Sequence, residues 1–143
     1  MKKIVKSLLL CMIIMILLTG CGKKSKEFVL KNSTKWDLKQ FSEELYNNKV
    51  NTIDKYENKY YSVVGVVAEI EKNRIALYDS LSGSLFVINL SKEDIKKITK
   101  EQEVEVAGKL TNISDCNRDS SNLYDLDVNN GLLEDAYLVN DEF

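Results

Sequence analysis

The chain has 143 residues, with 20 Lys+Arg against 22 Asp+Glu and 44% apolar residues, which fits one folded domain and excludes a disordered chain. It contains no histidine, so Ser-His-Asp and Cys-His nucleophiles and His-ligated zinc or haem are excluded. It contains no proline, so PxxP ligands and Pro-rich linkers are excluded too.

The first 20 residues read as a secretory signal. Lys2, Lys3 and Lys6 form a positive start, and Ser7 to Leu18 is a nearly unbroken apolar run. As a helix that run reaches about 18 Å, against a hydrocarbon core of about 30 Å, so it is short for a membrane span. Leu18-Thr19-Gly20-Cys21 resembles the lipobox of bacterial lipoproteins. The resemblance implies cleavage between Gly20 and Cys21 and a diacylglycerol on the Cys21 thiol. The two acyl chains would hold the protein to membrane lipid on the extracytoplasmic face of the cell membrane. The alternative is an ordinary signal, or an uncleaved anchor, that carries a chance cysteine. Residues 21–33 then read as a lipidated N-terminus and polar tether, whose Lys23, Lys24 and Lys26 suit anionic headgroups.

Without Lys2, Lys3 and Lys6, 17 basic residues face 22 acids, a balance of about −5. From Asp119 to Phe143 there are seven acids and no base, which reads as a solvated surface. No basic stripe is left to suit a polyanion. Cys116 remains without an internal disulfide partner once Cys11 and Cys21 are accounted for, and no metal-binding cysteine spacing exists.

The folded part is expected over 34–143. Ser33 and Thr34 are plausible N-caps for a helix over about 35–47, with Leu38, Phe41 and Leu45 at helical period and Trp36 stapling its start. Asn47-Asn48 interrupts it, and Val50 and Ile53 suggest a second short helix ending near Tyr56. Lys59 to Lys72 is a long β-branched, aromatic strand, in which Gly65 marks a bulge or sharp coil. Arg74–Tyr78 and Ser84–Leu90 follow as a meander. Ser91 opens a short helix with a capping-box-like Asp94. Glu101 to Leu110 alternates, with Val104 and Val106 inward and Glu103 and Glu105 outward. After the polar stretch Ser114–Asn122, the last segment suggests one strand plus a hairpin arm turning at Asn129-Asn130-Gly131.

Three meander strands, a short helix and two further strands make a mainly β (α+β) fold. This is the topology of the OB-fold, a five-stranded Greek-key barrel, here with an N-terminal helix and a short helix between strands 3 and 4. Residues Glu44 to Ile70, with Asn48, Asp54-Lys55-Tyr56, Lys59 and Val63-Val64-Gly65-Val66-Val67, resemble the tRNA_anti-like OB-fold family of bacterial exported proteins. Val104 to Leu110 matches that family's second glycine-centred strand. The resemblance spans roughly residues 40–139 and implies the fold rather than a ligand.

No catalytic centre or cofactor site is legible, so an enzyme is not expected. Asp125-Leu126-Asp127-Val128-Asn129-Asn130-Gly131 misses the EF-hand spacing, because glycine falls seventh and Ala136 twelfth. Asp119, Asp125 and Asp127 remain weak oxygen ligands for calcium. Tyr60, Tyr61, Tyr78, Phe86 and Tyr124 would make an aromatic ligand face if they pointed outward, although strand aromatics more often fill cores. The expected function is a lipid-anchored binding module for a protein, peptide or envelope ligand. The alternatives are a single-stranded nucleic-acid or DNA-contacting module and a weak calcium-binding structural lipoprotein.

Overall fold

The computed structural model describes residues 22–114 and 129–139. The chain runs α1 (Lys26–Asn32), β1 (Thr34–Lys35), α2 (Leu38–Asn47), α3 (Lys49–Tyr56), β2 (Tyr60–Glu71), β3 (Arg74–Asp79), β4 (Ser84–Asn89), α4 (Lys92–Ile95), β5 (Glu103–Thr111) and β6 (Gly131–Leu138). The sheet order is β1-β2-β3-β4-β6-β5, and β5 also pairs with β2. Five strands therefore close into a barrel. All its seams are antiparallel except β4–β6, which is parallel over Phe86↔Gly131 to Ile88↔Leu133. This is the expected OB-fold.

The local reasons are mostly visible in the sequence. Asp37 caps α2 by accepting from the Gln40 N–H at 2.9 Å, in place of the expected Ser33 or Thr34, which lie at the end of α1 and in β1. Trp36 immediately before that cap and Phe41 in the second turn lie 4.7 Å apart edge to face, a hydrophobic staple. The helix thus starts at Leu38 rather than near 35, because Thr34 and Lys35 are drawn into parallel pairing with Tyr61 and Ser62 of β2. Asn48 ends α2 and caps α3 by accepting from the Asn51 N–H at 3.2 Å. Ser91 caps α4 by accepting from the Asp94 N–H at 3.1 Å, and its hydroxyl donates to the Asp94 carboxylate at 2.9 Å.

The stretch expected as a tether is partly structured. Residues 26–32 form α1, capped by Ser25, and bury Val29 completely. Its apolar residues, Phe28, Val29 and Leu30, are consecutive and carry no helical period, so the sequence held no sign of a helix there.

Gly65 does not mark the bulge expected there. Its register with Val104 is regular, and the extra residue in β2 is Ala68, between Val67 and Glu69. A Cβ on Gly65 would lie 2.9 Å from both Leu77 Cγ and the Tyr78 carbonyl, so glycine is needed for close approach to β3. The second bulge sits at the other seam, where β6 gains a residue opposite Gly108 and Asp135 takes φ 50°.

The last segment supplies β6 as one strand. Asn130 precedes it, bonding the Leu85 backbone from both sides at 2.8 and 3.1 Å and accepting from the Ser114 N–H at 3.1 Å. The hairpin arm expected before Asn129 lies outside the described residues.

The barrel interior holds Val63, Val67, Ile75, Leu77, Phe86, Ile88, Val104, Val106, Leu110, Leu133 and Leu138, with α2 and α3 adding Phe41, Leu45 and Tyr56. A second cluster of Ala76, Leu85 and Val87 lies on the alternate side of β3 and β4. β4 is therefore buried on both faces from Ser84 to Ile88.

Candidate functional site

One edge of β2 is incomplete. β5 covers Tyr60 to Val66 along one side. On the other side β1 pairs with Tyr61 and Ser62, and β3 begins at Val66. Val63, Val64 and Gly65 have no strand partner there among the described residues. The Trp36 N–H donates to the Ser62 carbonyl at 2.9 Å on this open side. Backbone groups two residues apart face the same way, so those of Val64 also point into the gap.

A groove of about 510 Å³ opens over the gap. Its floor is Ser62 and Val64, one wall is Lys35 to Lys39, and the other is Asp79 with Leu81. Leu81 is 90% exposed on the β3–β4 loop, and Val64 is 38% exposed. These two apolar side chains face one backbone gap, whereas the other exposed large apolar residues among those described, Phe28, Tyr46 and Val50, lie on the helices. Lys35 and Lys39 are balanced by Asp37 and Asp79, so the groove carries both signs. Asp79 also fixes the loop by accepting from the Ser82 N–H at 2.8 Å.

Beneath the groove lies an aromatic cluster. The Trp36 ring is stacked on Tyr61 at 4.9 Å and tilted against Phe86 at 4.8 Å. The Trp36 indole N–H is buried with no hydrogen-bond partner among the described residues. Burial raises the Tyr56 and Tyr61 phenols above their usual 10.

The aromatic face drawn from sequence is thus not an exposed stacking platform. Tyr61 and Phe86 are core residues, and Tyr78 is half-buried against Ala76, Leu85 and Val87. The structure brings Tyr61 and Phe86 together around Trp36 but places Tyr78 in a separate cluster. Strand alternation decides which ring points inward, and barrel closure decides which face is inside. Sequence alone did not reveal the groove, because its parts come from β1, β2 and the β3–β4 loop. Leu81, an apolar residue in the polar loop Asp79–Gly83, was its one visible sign.

Gly20, Cys21, Asp119, Tyr124, Asp125 and Asp127 lie outside the described residues, as does Cys116. Among the described residues no group of three His, Cys, Asp or Glu side chains is placed to hold a metal ion. No helix among them is long and apolar enough to cross a membrane. Arg74, the one base on β3 and β4, pairs with Glu71 at 2.7 Å.

No family model and no curated protein matches the chain. Among solved structures, a Klebsiella pneumoniae lipoprotein named as a proposed nucleic-acid binder matches with TM-score 0.57 and 13% identity. The match covers 82% of this chain and 99% of that one. An Entamoeba histolytica asparaginyl-tRNA synthetase with bound asparaginyl-adenylate matches at TM-score 0.36 and 20% identity. It covers 61% of this chain and 22% of its own, and adds nothing to the assignment. At these identities the likeness to the Klebsiella protein establishes a shared fold, the closed OB barrel described above.

Proposed function

We propose that this chain is an exported, non-catalytic lipoprotein, held to membrane lipid through an acylated Cys21, whose OB barrel binds an extended peptide or protein segment. The segment adds as a short strand along β2 at Val64. The observation that carries this reading is the backbone gap at Val63–Gly65, roofed by the exposed Leu81. Strand addition uses free main-chain groups for affinity and flanking apolar residues for side-chain choice. The mixed charges of Lys35, Lys39, Asp37 and Asp79 suit a zwitterionic peptide better than a polyanion. The anchor rests on the Leu18–Cys21 motif and finds support in the lipoprotein name of its structural neighbour.

The test uses Trp36, the single tryptophan, which lines the groove. Extended apolar heptapeptides and oligo(dT) are titrated against the protein at low and high salt, following Trp36 emission. Peptide saturation with little salt dependence is expected, and Leu81→Asp should weaken it by about tenfold or more while leaving the thermal midpoint unchanged. The neighbour's name favours a second reading, in which single-stranded nucleic acid is the ligand. Oligo(dT) binding that falls steeply with salt, with the peptides silent, would establish that reading and overturn the first.

A further inference from the structure

The chain leaving Cys21 is held against the barrel almost at once. Lys23 Nζ donates to the Ala136 carbonyl at 3.5 Å and sits 4.4 Å over the Tyr137 ring. The Tyr137 hydroxyl donates to the Lys24 carbonyl. Ser25 then caps α1, whose Val29 is fully buried, and Phe28 meets Tyr60 edge to face at 5.6 Å. Lys23, the first fixed side chain, stands two positions beyond Cys21, with Gly22 alone between them. Two residues span at most about 7 Å. The headgroup layer of a bilayer is itself about 5–8 Å thick on each side. An anchor at Cys21 therefore has no slack to lift the barrel off the membrane.

The surface at that point suits a bilayer. Phe28 and Lys31 stand three residues apart on α1, the spacing of one helical face, and Lys24 immediately precedes the Ser25 cap. Lys24 Nζ lies 5.5 Å from the Phe28 ring centre. Both lysines are exposed, and Phe28 is 41% exposed, one of the few large apolar side chains at the surface. The nearby acids are Glu27 on α1, Asp135 on β6, which acts on both Tyr60 and Tyr137, and Asp94, which acts on Tyr137.

We infer that Lys24, Phe28 and Lys31 form a membrane-lying face that seats the barrel on anionic phospholipid in a fixed orientation. This inference rests on the Cys21 anchor proposed above. Phe28 enters the headgroup boundary, and the lysines meet lipid phosphates. The lipoprotein is then a barrel lying on the bilayer rather than one swinging on a tether.

The experiment uses the full chain, purified from a bacterial host and reconstituted into vesicles of phosphatidylcholine alone or with phosphatidylglycerol. Lysine acetylation footprinting reads Lys24 and Lys31, with Lys72 as the control. Labelling of Lys24 and Lys31 should fall about fivefold with phosphatidylglycerol, and that of Lys72 should not change. Amide exchange over 26–32 should slow in the same vesicles. In a Lys24→Glu, Lys31→Glu variant that slowing should vanish while β2 stays protected, which shows that the fold survives. Equal labelling in both vesicle types overturns the face. The mass of the N-terminal peptide decides the anchor separately. Acylated Cys21 without protection sinks the face alone, whereas protection without acylated Cys21 sinks the anchor and leaves the face.

Discussion

Gly65 shows how one missing side chain shapes both the barrel and its groove. β2 must pass β3 at a distance that leaves no room for a Cβ beside Leu77 and the Tyr78 carbonyl. Immediately before it, Val64 turns outward into the groove and Val63 turns inward to the core. A Gly65→Val substitution should push Leu77 aside, at a cost of about 1–3 kcal/mol as an overpacked site, and denaturant unfolding would measure it. An unchanged midpoint would mean that the strands separate freely there. The glycine stood out in the sequence because it interrupts a β-branched run. Its role did not, since a bulge and a close approach leave the same mark, and only the register with Val104 separates them.

Among the elements, an ion pair links α2 to α3 at the surface, beside the Phe41–Tyr56 contact in the core. Lys55 of α3 donates to both Glu44 carboxylate oxygens of α2 at 2.7 and 2.8 Å, and Gln40 adds a third bond at 2.7 Å. Hydrogen bonding from Lys55 holds the Glu44 carboxyl below its usual 4.5, and the same bond raises Lys55 above 10.5. Glu69 is lowered in the same way by Lys100, which reaches it at 2.7 Å from the turn before β5. A carboxyl with a lowered folded pKa adds stability above its unfolded value and loses it as pH falls through the folded one. The thermal midpoint should therefore decline on acidification below about pH 4.5, and Glu44→Gln should remove part of that decline. Both pairs are solvent-exposed, so the effect is small and salt should shrink it. An acid limb of the same shape in Glu44→Gln would exclude the pair as its source. α2 was legible from the apolar period of Leu38, Phe41 and Leu45, although not from its cap, whereas α1 was not legible, because one buried valine makes no pattern.

At the scale of the molecule, Trp36 joins the outer layer to the barrel. Its ring bridges Phe41 of α2, Tyr61 of β2 and Phe86 of β4, and its backbone pairs with Ser62. Trp36→Ala should cost about 3–5 kcal/mol and loosen β1 and α2 together, seen as faster amide exchange over both. Trp36→Phe should cost less, since it keeps the stacked ring and removes a buried N–H that has no partner. Equal losses in the two variants would show that ring stacking is not what holds the layer. The same residue lines the groove, so the core that closes the barrel also supports the surface proposed to bind a peptide.

By itself the sequence determined the mainly β barrel, its strand order and the Ser91 cap. Those properties depend on residue alternation, glycine placement and side chains that bond within a few positions of themselves. It also determined the export motif around Cys21 as an expectation. Tertiary structure alone decided which rings are buried, where β2 lacks a neighbour and that α1 packs against β2, β5 and β6. Each of these is set by which strands meet across the closed seam, and residues distant in the chain become neighbours only when the barrel shuts.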